Sequence, residues 1–390
     1  MSARNISGTQ ISLPALPNPT VHQQTQSDRR IDIEAKQQLV AKLLATSDCD
    51  GLLLLDPANF AWFTSGGIAR GVIDPASLPV IFCTQDHRWV ISSNVDTQRI
   101  FDEELDELGF LLKEWPWHSN RTQLLRDLCN GRRVACDQTF GELENIGSQI
   151  CQMRQNLALY EEACYRALGK ILGHALEATC RTLQRGDTER EIAGQLSHRL
   201  IHRGVLPLVL TALVDGRSSM YRQGGFTPTP VNSYCVLLAA AQKYGLCAMA
   251  SRTVAFGEIP EHLKREHTAA CRVLATYVAS TWPAAVPKQI LNTARRIYRS
   301  CGAEHEWRLS PQGHITGRSL VELPLTPTTE DLLPSHAAIT WRASIRSALS
   351  CDTFLVNEDG PRTLTIAENW PLKKLRIQGA EFTRPDILLR

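Results

Sequence analysis

The stretch LAAAQKYGLCAMASRTVAFG, Leu238 to Gly257, decides the fold. It reads as two β-strands joined by a tight turn at Tyr244-Gly245. The second strand carries Ser251-Arg252-Thr253, and Gly257 closes it. Glycine in a two-residue turn between apolar runs is a hairpin signal. The pair is also notable for what it lacks: from Val231 to Phe256 there is no Asp or Glu. Neither strand can therefore offer a carboxylate to a hard cation, which takes oxygen ligands.

Working outward, residues 1–30 are rich in Ser, Thr, Gln, Asn and Pro and are expected to form a disordered tail. Apolar residues at helical spacing (Ile33, Leu39, Val40, Leu43) predict a helix from Asp32 to Leu44. Gly51–Leu55 is a buried-strand run, and Leu78–Thr84 with Arg88–Ser92 reads as a strand hairpin. Strands alternating with helices make the segment 31–155 an α/β domain. A long helix follows from near Leu157 to Leu183, with Gly186 beyond it. Thr188-Glu189-Arg190-Glu191 is a capping box that opens the next helix. Two more helices are expected from Pro260-Glu261 and from Pro287 to Cys301, then strands to about Thr365.

Bulk properties bound the function. A length of 390 residues suits two or more domains. With 42 basic and 40 acidic residues and no basic run, nucleic-acid binding is not suggested. No apolar stretch approaches the length of a membrane span. The opening MSARNISGTQ lacks the apolar core of a secretion signal, so the expected location is cytoplasmic. Twelve cysteines occur without any C-x-x-C pair, which argues for reduced, mostly buried thiols.

The strand pair resembles that of the creatinase / aminopeptidase P / methionine aminopeptidase family, the pita-bread metallopeptidases, where it reads roughly D-x-G-x…G-x-x-x-D-x-T-R-T-x-x-x-G. Further likeness lies in Asp56–Gly67, in Gly186–Ala193 and in the run Gly313-His314-Ile315-Thr316-Gly317 to Glu322-Leu323-Pro324. The resemblance implies an α/β (α+β) chain: a creatinase N-terminal-like domain over 31–155 and a pita-bread domain over 156–370, with 371–390 as a C-terminal extension. It implies a homodimer as well.

A working member of that family holds two divalent metals with two Asp, one His and two Glu. The resemblance places these positions on Leu238, Met249, His314, Arg342 and Cys351, so one ligand of five survives and no metal or other cofactor is expected. Arg342 puts a permanent positive charge where a cation would sit. Creatinase works without metal through a histidine, whose position here is Gln223, and an amide is no acid-base group. Val321 replaces a second, substrate-contacting histidine.

Two functions remain. One is a non-catalytic pseudo-peptidase that binds a small molecule, peptide or partner in the old cleft through Gln223, Arg252, His314 and Arg342. The alternative is a hydrolase of peptide or C–N bonds with metal-free or mononuclear chemistry. Its candidates are His314, Cys351 and Asp352, expected to meet on the concave face as a thiol, base and acid.

Overall fold

The computed structural model describes residues 19–390, with side chains from residue 26 onward. The expected tail therefore falls largely outside the described residues. Where it is described the expectation fails, because helix α1 (Pro19–Thr46) begins well before Asp32. Its first turns carry no apolar stripe, so the periodicity that marks a buried face could not reveal them. Proline at the first helical position supplies a start.

The N-terminal segment continues with β1 (Gly51–Leu54), α2 (Pro57–Phe63), β2 (Val80–Cys83), β3 (Arg88–Ser93), α3 (Thr97–Ile100) and β4 (Leu111–Trp115). It ends with α4 (Arg121–Cys129), β5 (Val134–Cys136), β6 (Glu144–Asn145) and α5 (Gly147–Gln155). Its six strands form one mixed sheet in the order β4-β3-β2-β1-β5-β6. β2 and β3 pair antiparallel, as the expected hairpin requires.

The segment after it runs α6 (Leu159–Thr182), α7 (Glu189–Ile201), β7 (Leu206–Val214), α8 (Arg217–Met220), β8 (Tyr234–Lys243) and β9 (Leu246–Ala255). It then repeats the theme with α9 (Glu261–Ala279), α10 (Pro287–Ser300), β10 (Gly313–Thr316), β11 (Leu323–Pro324), β12 (Ala337–Ile345), β13 (Ala348–Val356) and β14 (Arg362–Thr363). Residues beyond 370 form the hairpin β15 (Leu372–Ile377) and β16 (Ala380–Pro385), then β17 (Leu388–Leu389), which adds to β9 in parallel. The capping box of Thr188 and Glu191 is present at the start of α7.

The strand pair closes through Tyr244 and Gly245, both with positive φ (54° and 66°), with Lys243 opposite Leu246. Two consecutive left-handed residues twist the turn to match the strands. A side chain at Gly245 would meet Ala61 and Arg318 at 3.0 Å, so the turn is also where the two segments touch. A buried charge network bridges them beside it: Lys36 pairs with Asp32 at 2.6 Å and Glu161 at 2.9 Å, and Arg318 also holds Glu161.

Sheets β17-β9-β8-β7 and β11-β10-β12-β13-β14 meet along β9 and β13 without a ladder. Hydroxyls substitute for it. The Thr353 hydroxyl accepts from the Met249 N–H and donates to the Met249 carbonyl, both at 2.9 Å, and Ser251 accepts from the Cys351 N–H at 2.9 Å. Helices cover the outside. Leu168, Leu172 and Leu196 pack on Leu237 and Ala239, while Tyr277 of α9 stacks on Trp341 at 4.6 Å. The opposite, concave face is left for the site.

Candidate functional site

On the concave face lies a cavity of about 470 Å³. Period-2 alternation decides which strand residues reach it. Leu238 pairs with Ser251 and Met249 with Ala240, which turns Leu238 and Met249 to the same side, and both line the cavity. His314 sits opposite Thr340, two residues before Arg342, so these two share that side and line it as well. Gln223 and Val321 complete the set that the sequence placed there.

Arg252 does not belong to it. It pairs with Leu237 and so points through the sheet toward the helices. There its guanidinium is fully buried and bonds Asp352 Oδ1 at 3.0 Å, the Thr365 carbonyl at 2.9 Å and the Ser251 carbonyl at 2.7 Å. This corrects its expected place in the cleft: one residue of displacement along a strand reverses the face.

The thiol, base and acid expected to meet on the concave face are not brought together. Asp352 is next to Cys351 and therefore projects to the opposite side, where Arg252 and the Thr365 hydroxyl hold it. Cys351 shares a face with its cross-strand partner Arg342 but is 1% exposed and does not line the cavity. Burial pushes its thiol up to about 12, which leaves no thiolate near neutral pH. His314 stands alone. Burial, assisted by the Arg342 charge, lowers its pKa to about 4, so it is neutral, and its Nε2 has no hydrogen-bond partner.

Arg342 is the centre of the site electrostatically. It donates to the Arg222 carbonyl, its Nε has no partner, and it forms no ion pair with a carboxylate among the described residues. Burial lowers its pKa. Three more deeply buried arginines are ion-paired: Arg154 meets Glu322 at 2.5 Å, Arg318 meets Glu161 and Arg252 meets Asp352, whereas half-buried Arg29 and Arg121 bond backbone carbonyls as Arg342 does. Arg222, also in the cavity wall, was overlooked in the sequence. It pairs with Glu306 at 2.5 Å. The only signal was an arginine in the loop before the strand pair, where composition alone gives no direction.

The metal pair implied by the resemblance does not fit this donor set. Leu238 and Met249 offer no oxygen, Arg342 is cationic, and Cys351 lies behind the wall. Among the described residues no group of three or more His, Cys, Asp or Glu is placed to hold an ion.

The family model of metallopeptidase family M24 matches residues 163–345. Among solved structures, the prolidase of Pyrococcus furiosus is similar with a TM-score of 0.70 at 17% identity, covering 84% of this chain and 100% of that one. An X-Pro aminopeptidase from Thermotoga maritima gives 0.70 at 17%, covering 88% and 98%. The N-terminal domain of the FACT complex subunit SPT16 from chickpea gives 0.63 at 10%, covering 88% and 97%. At these identities the likenesses speak for the fold alone. No curated protein matches the sequence significantly. Residues 163–345 match the model of metallopeptidase family M24, and the chain has the pita-bread fold of these solved structures.

Proposed function

We propose that this Xaa-Pro peptidase-like protein no longer works as a dinuclear metallopeptidase and uses the old cleft to bind a small ligand bearing a carboxylate. The observation that carries this is Arg342, an arginine in the cavity wall without a carboxylate partner among the described residues, standing among Leu238, Met249 and His314. A guanidinium offers a carboxylate two parallel hydrogen bonds, and its free Nε is one of those donors. That a complex subunit such as SPT16 has this fold supports a reading in which the fold need not imply peptide cleavage. By the same family likeness the protein is taken as a cytoplasmic homodimer; light scattering that returned a monomer mass would remove the dimer.

Metal analysis after equilibration with Mn²⁺, Co²⁺ and Zn²⁺ and desalting tests the first half of the proposal. One metal or more per chain, lost in His314→Ala, would overturn it. Thermal-shift screening with carboxylates and proline dipeptides tests the second half, and a flat response to all of them counts against it. One observation favours the alternative hydrolase: the open Nε2 of neutral His314 in the cavity. With a pKa of about 4 it is a weak base at neutral pH. Peptide or amide hydrolysis that disappears in His314→Gln would establish that reading instead.

A further inference from the structure

The cavity that holds Arg342 is selective in what it omits. Leu213, Val236, Leu238, Met249, Val321 and Leu349 give it an apolar body, and no Asp or Glu lines it. Glu306 and Glu322, which flank the wall, are committed, the first to Arg222 at 2.5 Å and the Arg346 N–H at 3.1 Å, the second to Arg154 at 2.5 Å. Asp352 lies beyond the sheet with Arg252. A ligand's ammonium would find no counter-charge in this space and would sit in the field of Arg342. An unpaired charge in an apolar wall is strongly disfavoured. Its volume of about 470 Å³ falls within the usual small-molecule range of roughly 300–1,000 Å³.

We infer that the cleft takes a hydrophobic monocarboxylate that lacks a free amine: an aliphatic or aryl acid, or an N-acylated amino acid. Its carboxylate lies on Arg342 and its apolar body against Leu238 and Met249. The inference rests on the carboxylate-binding reading above and narrows it. It separates this protein from a dipeptide binder, whose ligand carries an α-ammonium.

Four matched probes decide the matter by calorimetric titration near neutral pH: 4-phenylbutyrate, N-acetyl-L-homophenylalanine, L-homophenylalanine and 4-phenylbutyramide. The first two should bind the intact protein, and the zwitterion and the amide should each bind at least about tenfold more weakly. Arg342→Met should erase the difference between acid and amide, and Leu238→Trp, which fills the cavity, should weaken all of them. If homophenylalanine binds as tightly as its N-acetyl form, the amine-free specificity is wrong while the carboxylate reading stands. If the amide binds as well as the acid, or none of the four binds, the carboxylate reading itself fails. The comparison within the unmodified protein decides the question even if either variant fails to fold.

Discussion

Replacing Arg252 and Arg342 in turn by methionine separates an arginine that holds the fold from one kept for a ligand. Arg252 is fully buried and makes three hydrogen bonds, one of them to Asp352. Arg252→Met would leave Asp352 with the Thr365 hydroxyl at 2.8 Å and Arg384 at 3.6 Å. Breaking a buried pair by removing one partner costs about 3–5 kcal/mol. Arg342 makes one hydrogen bond to the Arg222 carbonyl and leaves Nε unpaired. Losing a hydrogen bond from a charged group costs roughly 1.5–3 kcal/mol. Relief from holding an unpaired cation partly out of water offsets this by a comparable amount. Arg342→Met should therefore fall within about 1 kcal/mol of the parent, because methionine keeps an unbranched stem that refills the wall. Urea unfolding followed by tryptophan fluorescence gives both values, provided the slopes match. If Arg342→Met loses as much stability as Arg252→Met, then Arg342 is a structural residue and the ligand argument collapses.

Three further outcomes are expected. Burial lowers the pKa of His267 to about 4, although Asp386 lies at 3.7 Å. The unfolded chain thus takes up this proton first, and stability present above pH 6.5 is lost as the pH falls toward 4, by at most about 3 kcal/mol. Urea midpoints between pH 7 and 5 that decline equally in the parent and in His267→Gln would refute this. A Cβ on Gly169 of α6 would lie 2.2 Å from the Leu364 carbonyl, so Gly169→Ala should destabilise by about 1–3 kcal/mol despite alanine's helix propensity; a higher melting temperature would contradict the close packing. Brief iodoacetamide treatment of the native protein should modify the partly exposed Cys151 and Cys301 before Cys351. Peptide mapping that finds Cys351 labelled early would mean that its thiol reaches the cleft.

The scaffold was legible because local signals agree with it. The turn at Tyr244-Gly245, the box of Thr188 and Glu191 and the proline at the start of α10 each fix a boundary through one physical requirement. Leu238 and Met249 could be placed in the cleft by counting from that turn, since alternation then fixes their face. The same counting misled for Arg252, where similarity to a site motif outweighed the alternation that sends it behind the sheet. Asp352 was misjudged for the same reason. Polar residues before Asp32 concealed the start of α1, because a helix without an apolar stripe leaves no periodic trace. Arg222 and its partner Glu306 are separated by 84 positions, and a pair that distant leaves no signature in one sequence.

Each altered position at the site raises the same question: does folding alone account for the residue found there? For Leu238 and Met249 it does. Without a cation, two carboxylates in that wall would be buried like charges, and apolar side chains that join the neighbouring core remove the penalty. Cys351, packed in the same core with its thiol held neutral, is likewise accounted for. Arg342 is the exception. It sits one strand from Cys351 on the same face, where a leucine would pack without any charge to desolvate. It makes no ion pair among the described residues, and its pKa is depressed by its surroundings. A buried charge that adds little to stability in the empty protein is explained by what it does when the cavity is filled. The four positions thus divide into three that folding accounts for and one that gives the cavity a charge, and the sign of that charge is why the ligand proposed above is an anion.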